Sequence, residues 1–146
     1  MIPATAARYS VLTAALVLCA TFAADAQIAV PPSATNVALQ EKCAAQSRQK
    51  YAALGWSNNP ETHFTSHYNA ALGKCFMLIE SVAALGDEVS IFKTLVNVTD
   101  AKQFGLWTKL GDDDASTRCT VTMTSGEEQP CQSEEEFKRL VKFYMQ

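Results

Sequence analysis

Between residues 37 and 54 apolar positions recur at helical spacing: Val37, Ala44, Tyr51 and Leu54 share one face, with Cys43 beside them. Asn36 can cap the start and Gly55 follows the end, so the pattern predicts a helix over 37–54. Asn58-Asn59-Pro60 is a turn-forming cluster. From 64 to 80 the chain becomes strand-like, and the dense apolar run 75–79 fits a strand covered on both faces, with Gly73 marking a bulge. A loop over 83–88 leads into an alternating stretch in which Phe92, Thr94, Val96 and Val98 interleave with Ile91, Lys93, Leu95 and Asn97. A further strand is expected over 103–110, ended by the polar break that runs from Gly111 through Asp112, Asp113 and Asp114.

Thr and Val favour another strand over 118–124, Ser125-Gly126 a turn, and 127–131 an antiparallel return. Ser133 stands three residues before Glu136, the pattern of a capping box, and Glu134, Glu135 and Glu136 sit where the helix dipole favours negative charge. Phe137, Leu140, Val141 and Tyr144 then form the stripe that would dock this helix. The order predicts a two-layer α+β domain: an N-terminal helix, an antiparallel sheet of about four to five strands, and a C-terminal helix packed on the sheet.

The opening of the chain has a different character. Arg8 precedes an uncharged apolar run over 11–24, shorter than the roughly 20 residues a spanning helix needs, and Ala24-Asp25-Ala26 offers small residues for cleavage before Gln27. This is the pattern of a signal peptide. Cys19 follows the bulky Leu18, which argues against a lipoprotein. Residues 1–26 are therefore read as a leader, 27–35, with Pro31-Pro32, as a flexible lead-in, and 36–146 as a single domain. No second apolar segment follows, so no membrane insertion is expected after cleavage. The location implied is periplasmic or secreted.

The chain carries 12 Lys and Arg against 15 Asp and Glu, a net charge of −3. The leader removes one charge of each sign, so the balance is unchanged. A mildly acidic chain without a basic cluster lacks the footprint of a nucleic-acid binder.

Cleavage leaves Cys43, Cys75, Cys119 and Cys131, an even set bound for an oxidising compartment, where disulfides are the default. Four cysteines permit three pairings. A hairpin centred on residue 125 would place Cys119 and Cys131 directly opposite, within reach of a bond. Cys43 on the first helix is then left to join Cys75 on a strand. The spacings lack the close cysteine pairs of a zinc site.

His67-Tyr68-Asn69, Lys74-Cys75-Phe76, and the closing stretch from Cys131 with its Glu-Glu-Phe and Tyr-Met resemble small exported bacterial proteins of a family without an assigned activity. The resemblance implies export to the bacterial envelope and brings no mechanism.

His63 and His67 are four apart, a spacing that sets two imidazoles on one face of a helix or a strand, and they are the candidate metal or acid-base pair. No third ligand is obvious. His67, Asn69 and Cys75 hold the residue types of a thiol protease, but a bonded cysteine cannot be a nucleophile. The Asp112–114 run lacks the alternation and fixed offsets of a calcium loop and reads as solvated. Asn97-Val98-Thr99, a glycosylation sequon, falls inside an expected strand. Trp107 and Tyr144 suit a core, whereas Trp56, His63, His67 and Tyr68 are the candidate binding residues. No cofactor signature is present, and none is assigned. The expectation is a non-catalytic envelope domain that binds a protein, peptide or glycan through the sheet face or the loop around Trp56. The alternative is a hydrolase or metal-dependent enzyme centred on His63 and His67.

Overall fold

A computed structural model describes residues 33–111 and 117–146. The leader, most of the lead-in and the Asp112–114 run lie outside the described residues. Helix α1 (Ala34–Ala53) starts earlier than its apolar pattern implied, because Ser33 is the cap: its Oγ accepts from the backbone N–H of Asn36 at 3.3 Å. Asn36 therefore lies inside the first turn, and Ala34 and Thr35 belong to the helix rather than to a lead-in. The helix ends as expected before Gly55, whose φ of 77° suits the left-handed residue that closes a helix. A single 3-10 turn (Trp56–Asn58) follows.

The sheet has six strands rather than four or five: β1 (Thr62–Asn69), β2 (Lys74–Leu85), β3 (Glu88–Asn97), β4 (Gln103–Leu110), β5 (Arg118–Thr122) and β6 (Glu128–Pro130). Each pairs antiparallel with the next, in sequence order. The stretch read as one bulged strand is a hairpin instead. Asn69 stops it by accepting from the Leu72 N–H through Oδ1 at 2.9 Å, and Gly73 takes φ 61° to complete the turn. The loop expected over 83–88 is shorter, since β2 and β3 run on to a two-residue turn in which Gly86 has φ 68°.

Helix α2 (Glu134–Val141) opens with the expected cap, Glu136 N–H donating to Ser133 Oγ at 3.1 Å. The returning bond lands one residue early: Gln132 N–H donates to Glu136 Oε2 at 3.0 Å. The two helices lie on opposite faces, making three layers instead of two. Alternation along β2 explains this, because Cys75, Met77 and Ile79 join Cys43 and Val96 under α1, while Phe76 joins Leu95, Trp107 and Val121 under Phe137, Val141 and Tyr144 of the C-terminal segment. Gly105 lets α2 approach β4 closely, since a Cβ there would stand 3.1 Å from Phe137 Cε2 and 3.3 Å from Leu95 Cβ. A register shift at Leu95/Val96 accompanies the packing of Phe104 against Phe76 and Tyr144, with ring centroids 5.5 and 5.6 Å apart.

Two disulfides pin this arrangement. Cys119 and Cys131 stand opposite across the β5–β6 hairpin, whose register pairs Thr120 with Pro130 and Thr122 with Glu128. Cys43 and Cys75 join α1 to β2, with Cα atoms 5.4 Å apart. Among the described residues no helix is long and apolar enough to cross a membrane.

A cleft at the edge of the sheet

Strand β1 is an edge of the sheet, and its odd-numbered residues turn their backbone groups toward β2. The even-numbered ones face outward, which would leave a row of open donors and acceptors. Side chains of α1 meet this row. Tyr51 Oη donates to the Thr62 carbonyl at 2.7 Å, Gln40 Nε2 donates to the Ser66 carbonyl at 3.1 Å, and the Tyr68 N–H donates to Gln40 Oε1 at 2.7 Å. One side-chain amide thus satisfies two outward backbone groups. Replacing it, in Gln40→Ala, is expected to lower stability by about 1–2 kcal/mol through the unpaired, half-buried Ser66 and Tyr68 groups. Urea denaturation of the variant beside the parent checks this.

Beside Gln40 the first turns of α1 and the end of β1 enclose a cleft of about 430 Å³. Asn36, Val37, Gln40 and Glu41 form its helical wall. His67, Tyr68, Ala70 and Gln146 form the other. His67 and Tyr68 point to opposite faces of a pleated strand, so a cleft that touches both wraps around the strand edge. Val37, expected on the buried stripe of α1, is instead 45% exposed here. Tyr68 also packs on the core cluster under α1, which fixes its backbone beside Gln40.

Of the four candidate binding residues, the cleft therefore unites His67 and Tyr68. It does not take in His63 or Trp56. His63 does share a face of β1 with His67, but four residues along a strand span about 13 Å, too far for one metal ion or one reacting atom. Its Nε2 lies 3.1 Å from Glu80 Oε2, its neighbour on β2. Trp56 is half-buried against the core under α1. Among the described residues no three His, Cys, Asp or Glu side chains converge on a metal-sized space.

The thiol-protease residue types are likewise absorbed by structure. Cys75 is bonded to Cys43, and Asn69 Nδ2 donates to the Phe143 carbonyl at 2.8 Å, tying the β1 turn to the C-terminal segment. Asn97 is buried, with Oδ1 accepting from the Thr99 N–H at 2.9 Å, so the sequon amide is part of a turn. Trp107 is core, as expected, and its indole Nε1 meets no acceptor among the described residues.

Glu80 leads inward from His63 to a chain of charges. Lys93 on β3 bonds both Glu80 and Glu134 of α2, the latter at 2.8 Å, and Glu134 also meets Lys138 at 2.6 Å. Burial pushes the Glu80 carboxyl up, but the Lys93 ammonium and the His63 ring outweigh it and hold the group below its usual value. This assembly ties α2 to the sheet.

Sequence reasoning missed Gln40, Asn36, Val37 and Glu41. Nothing local marks them, because the role of Gln40 exists only once an edge strand 26 residues away lies beside it. No protein-family model, curated protein or solved structure matches the chain.

Proposed function

We propose that this is an exported, non-catalytic binding domain of the periplasm or extracellular space, and that its ligand site is the cleft between α1 and β1. The observation that carries the reading is the cleft itself. Its volume of about 430 Å³ falls within the roughly 300–1,000 Å³ typical of ligand sites, and a few polar groups from Asn36, Glu41 and His67 stand around an apolar wall that includes Val37 and Ala70. Both disulfides and the signal-like leader support an oxidising destination. The separation of His63 from His67 supports binding over hydrolysis, because the two imidazoles cannot act on one reacting atom and, among the described residues, no three His, Cys, Asp or Glu side chains converge.

Titration of the purified oxidised protein with the uncharged fluorescent probe N-phenyl-1-naphthylamine tests the site. Saturable enhancement is expected, weakened about tenfold in Val37→Asp, since a carboxylate on the apolar wall must be desolvated by a bound ring. Val37 is exposed, so the variant keeps its fold, which circular dichroism confirms independently. Enhancement that never saturates, or that ignores the substitution, would remove the cleft as the site.

A further inference from the structure

We infer that the cleft takes an extended peptide carrying a basic side chain, which adds to the sheet along β1 and displaces the Gln40 amide. This rests on the cleft being the binding site and goes further, naming the class of ligand and the way it is held. The Ser66 carbonyl and the Tyr68 N–H both point outward and flank His67. A residue of an added parallel strand satisfies such a pair by giving its N–H to the first and its C=O to the second. Gln40 supplies one donor and one acceptor to those same two groups, at 3.1 and 2.7 Å. It therefore occupies the place that a peptide backbone would take.

A side-chain amide can leave without unravelling the sheet, because β1 keeps its full register with β2 from Thr62↔Ser81 to Asn69↔Lys74. The space for an incoming chain lies immediately beside the amide, in the cleft that Gln40, His67 and Tyr68 share. Charge selects among peptides. The described side chains of the lining include one carboxylate, Glu41, and neither Lys nor Arg. A peptide Lys or Arg meets attraction there, and an acidic residue meets repulsion. Residues two apart on a strand share a face, so an apolar side chain can rest on Val37 while a basic one two positions away reaches Glu41.

Binding of the blocked peptide acetyl-Val-Thr-Lys-Thr-amide, followed by calorimetry and by the 15N-1H signal of Tyr68, tests the inference. Saturable binding that shifts this signal is expected. Methylating the two central peptide nitrogens should weaken it at least tenfold, and exchanging the peptide Lys for Glu should weaken it several-fold. Gln40→Ala should bind about tenfold tighter, because no amide has to be displaced, although the free variant is less stable. A purely structural Gln40 would give unchanged or weaker binding in that variant.

Equal affinity for the methylated and unmethylated peptides would overturn strand addition, and this comparison uses the parent protein, so it holds even where Gln40→Ala fails to fold. Peptide silence alongside Val37-dependent binding of the fluorescent probe would overturn strand addition and leave the cleft standing. Silence of both ligands would overturn both. A second copy of the chain as the occupant would show as concentration-dependent dimerisation competing with the peptide, and would also refute a peptide ligand.

Discussion

Replacing Cys43 and Cys75 together by serine is expected to lower the unfolding free energy by about 4 kcal/mol and to loosen α1 before the rest of the fold. The magnitude follows from the loop that the bridge closes, whose ends are 32 residues apart, against about 3 kcal/mol for the Cys119–Cys131 bridge at a separation of 12. The local effect follows from how α1 docks. Only Cys43 and Ser47 of this helix are fully buried, and Ser47 Oγ lies 3.6 Å from Cys75 Sγ, so its anchorage is concentrated at the bridge. What remains is Tyr51, Gln40 and a few half-buried contacts.

Cys119→Ser with Cys131→Ser should behave differently. That hairpin keeps its register, and Val121 stays within the core formed with Phe137 and Val141. Native-state hydrogen exchange separates the two cases: the first double variant should lose protection in α1 while β2 to β4 keep theirs, and the second should lose it evenly. Because α1 supplies one wall of the cleft, binding of the fluorescent probe should fall with the first variant alone. Protection of α1 equal to that of the sheet in Cys43→Ser/Cys75→Ser would show that side-chain packing holds the helix instead.

The same concentration of contacts explains what could be read from the amino-acid pattern. The β5–β6 hairpin, the cap of α2 and the docking of Phe137, Val141 and Tyr144 were legible because each depends on residues a few positions apart: a turn at Ser125-Gly126, a Ser three before a Glu, a stripe at helical spacing. Both cysteine pairings followed from the hairpin symmetry, one directly and the other by what was left. The stripe on α1 misled, because this helix is held by a disulfide and hydrogen bonds, leaving Val37 and Leu54 exposed. The split between β1 and β2 was hidden as well, since Asn69 stops the strand through bonds to Leu72 and to Phe143, 74 residues away. The cleft was half legible. His67 and Tyr68 were picked for their side-chain chemistry, whereas Gln40 is an ordinary surface residue of a helix until an edge strand makes its amide useful.

Lys93→Met is expected to cost about 3 kcal/mol near neutral pH and to lower the melting temperature by about 10 °C, a loss that shrinks in acid. The Lys93 side chain is 11% exposed and stands between Glu80 of β2 and Glu134 of α2, so its removal leaves Glu80 facing the His63 ring and Glu134 facing Lys138, each without its most buried partner, in a partly dehydrated setting. Burial pushes the Lys93 ammonium down, but its bonds to Glu134 and Glu80 outweigh this and raise it above 10.5. Glu134 is lowered by its bonds to Lys138 and Lys93, against burial, and Glu80 is lowered as well. Both carboxylates bind protons more weakly when folded. Their contribution is therefore present above the usual value of 4.5 and is lost as pH falls through the depressed folded values. Lys93 works the other way: its contribution is full below 10.5 and is lost as pH rises through the raised folded value. Burial also raises the Tyr144 hydroxyl above 10.0, and this group donates to the Thr122 carbonyl at 2.6 Å, so it loses stabilisation on the same alkaline side. The parent protein should thus show a plateau of stability from about pH 5 to 10, falling at both ends. In Lys93→Met Glu80 loses its ammonium partner while Glu134 keeps that of Lys138, and protonating Glu80 relieves its burial, so the acid fall should flatten and the gap between the two curves should narrow below pH 4.5. Urea denaturation at stepped pH measures this directly. Parallel curves, with the same gap at pH 3 as at pH 7, would mean that Lys93 stabilises the fold by packing its aliphatic stem rather than by its charge.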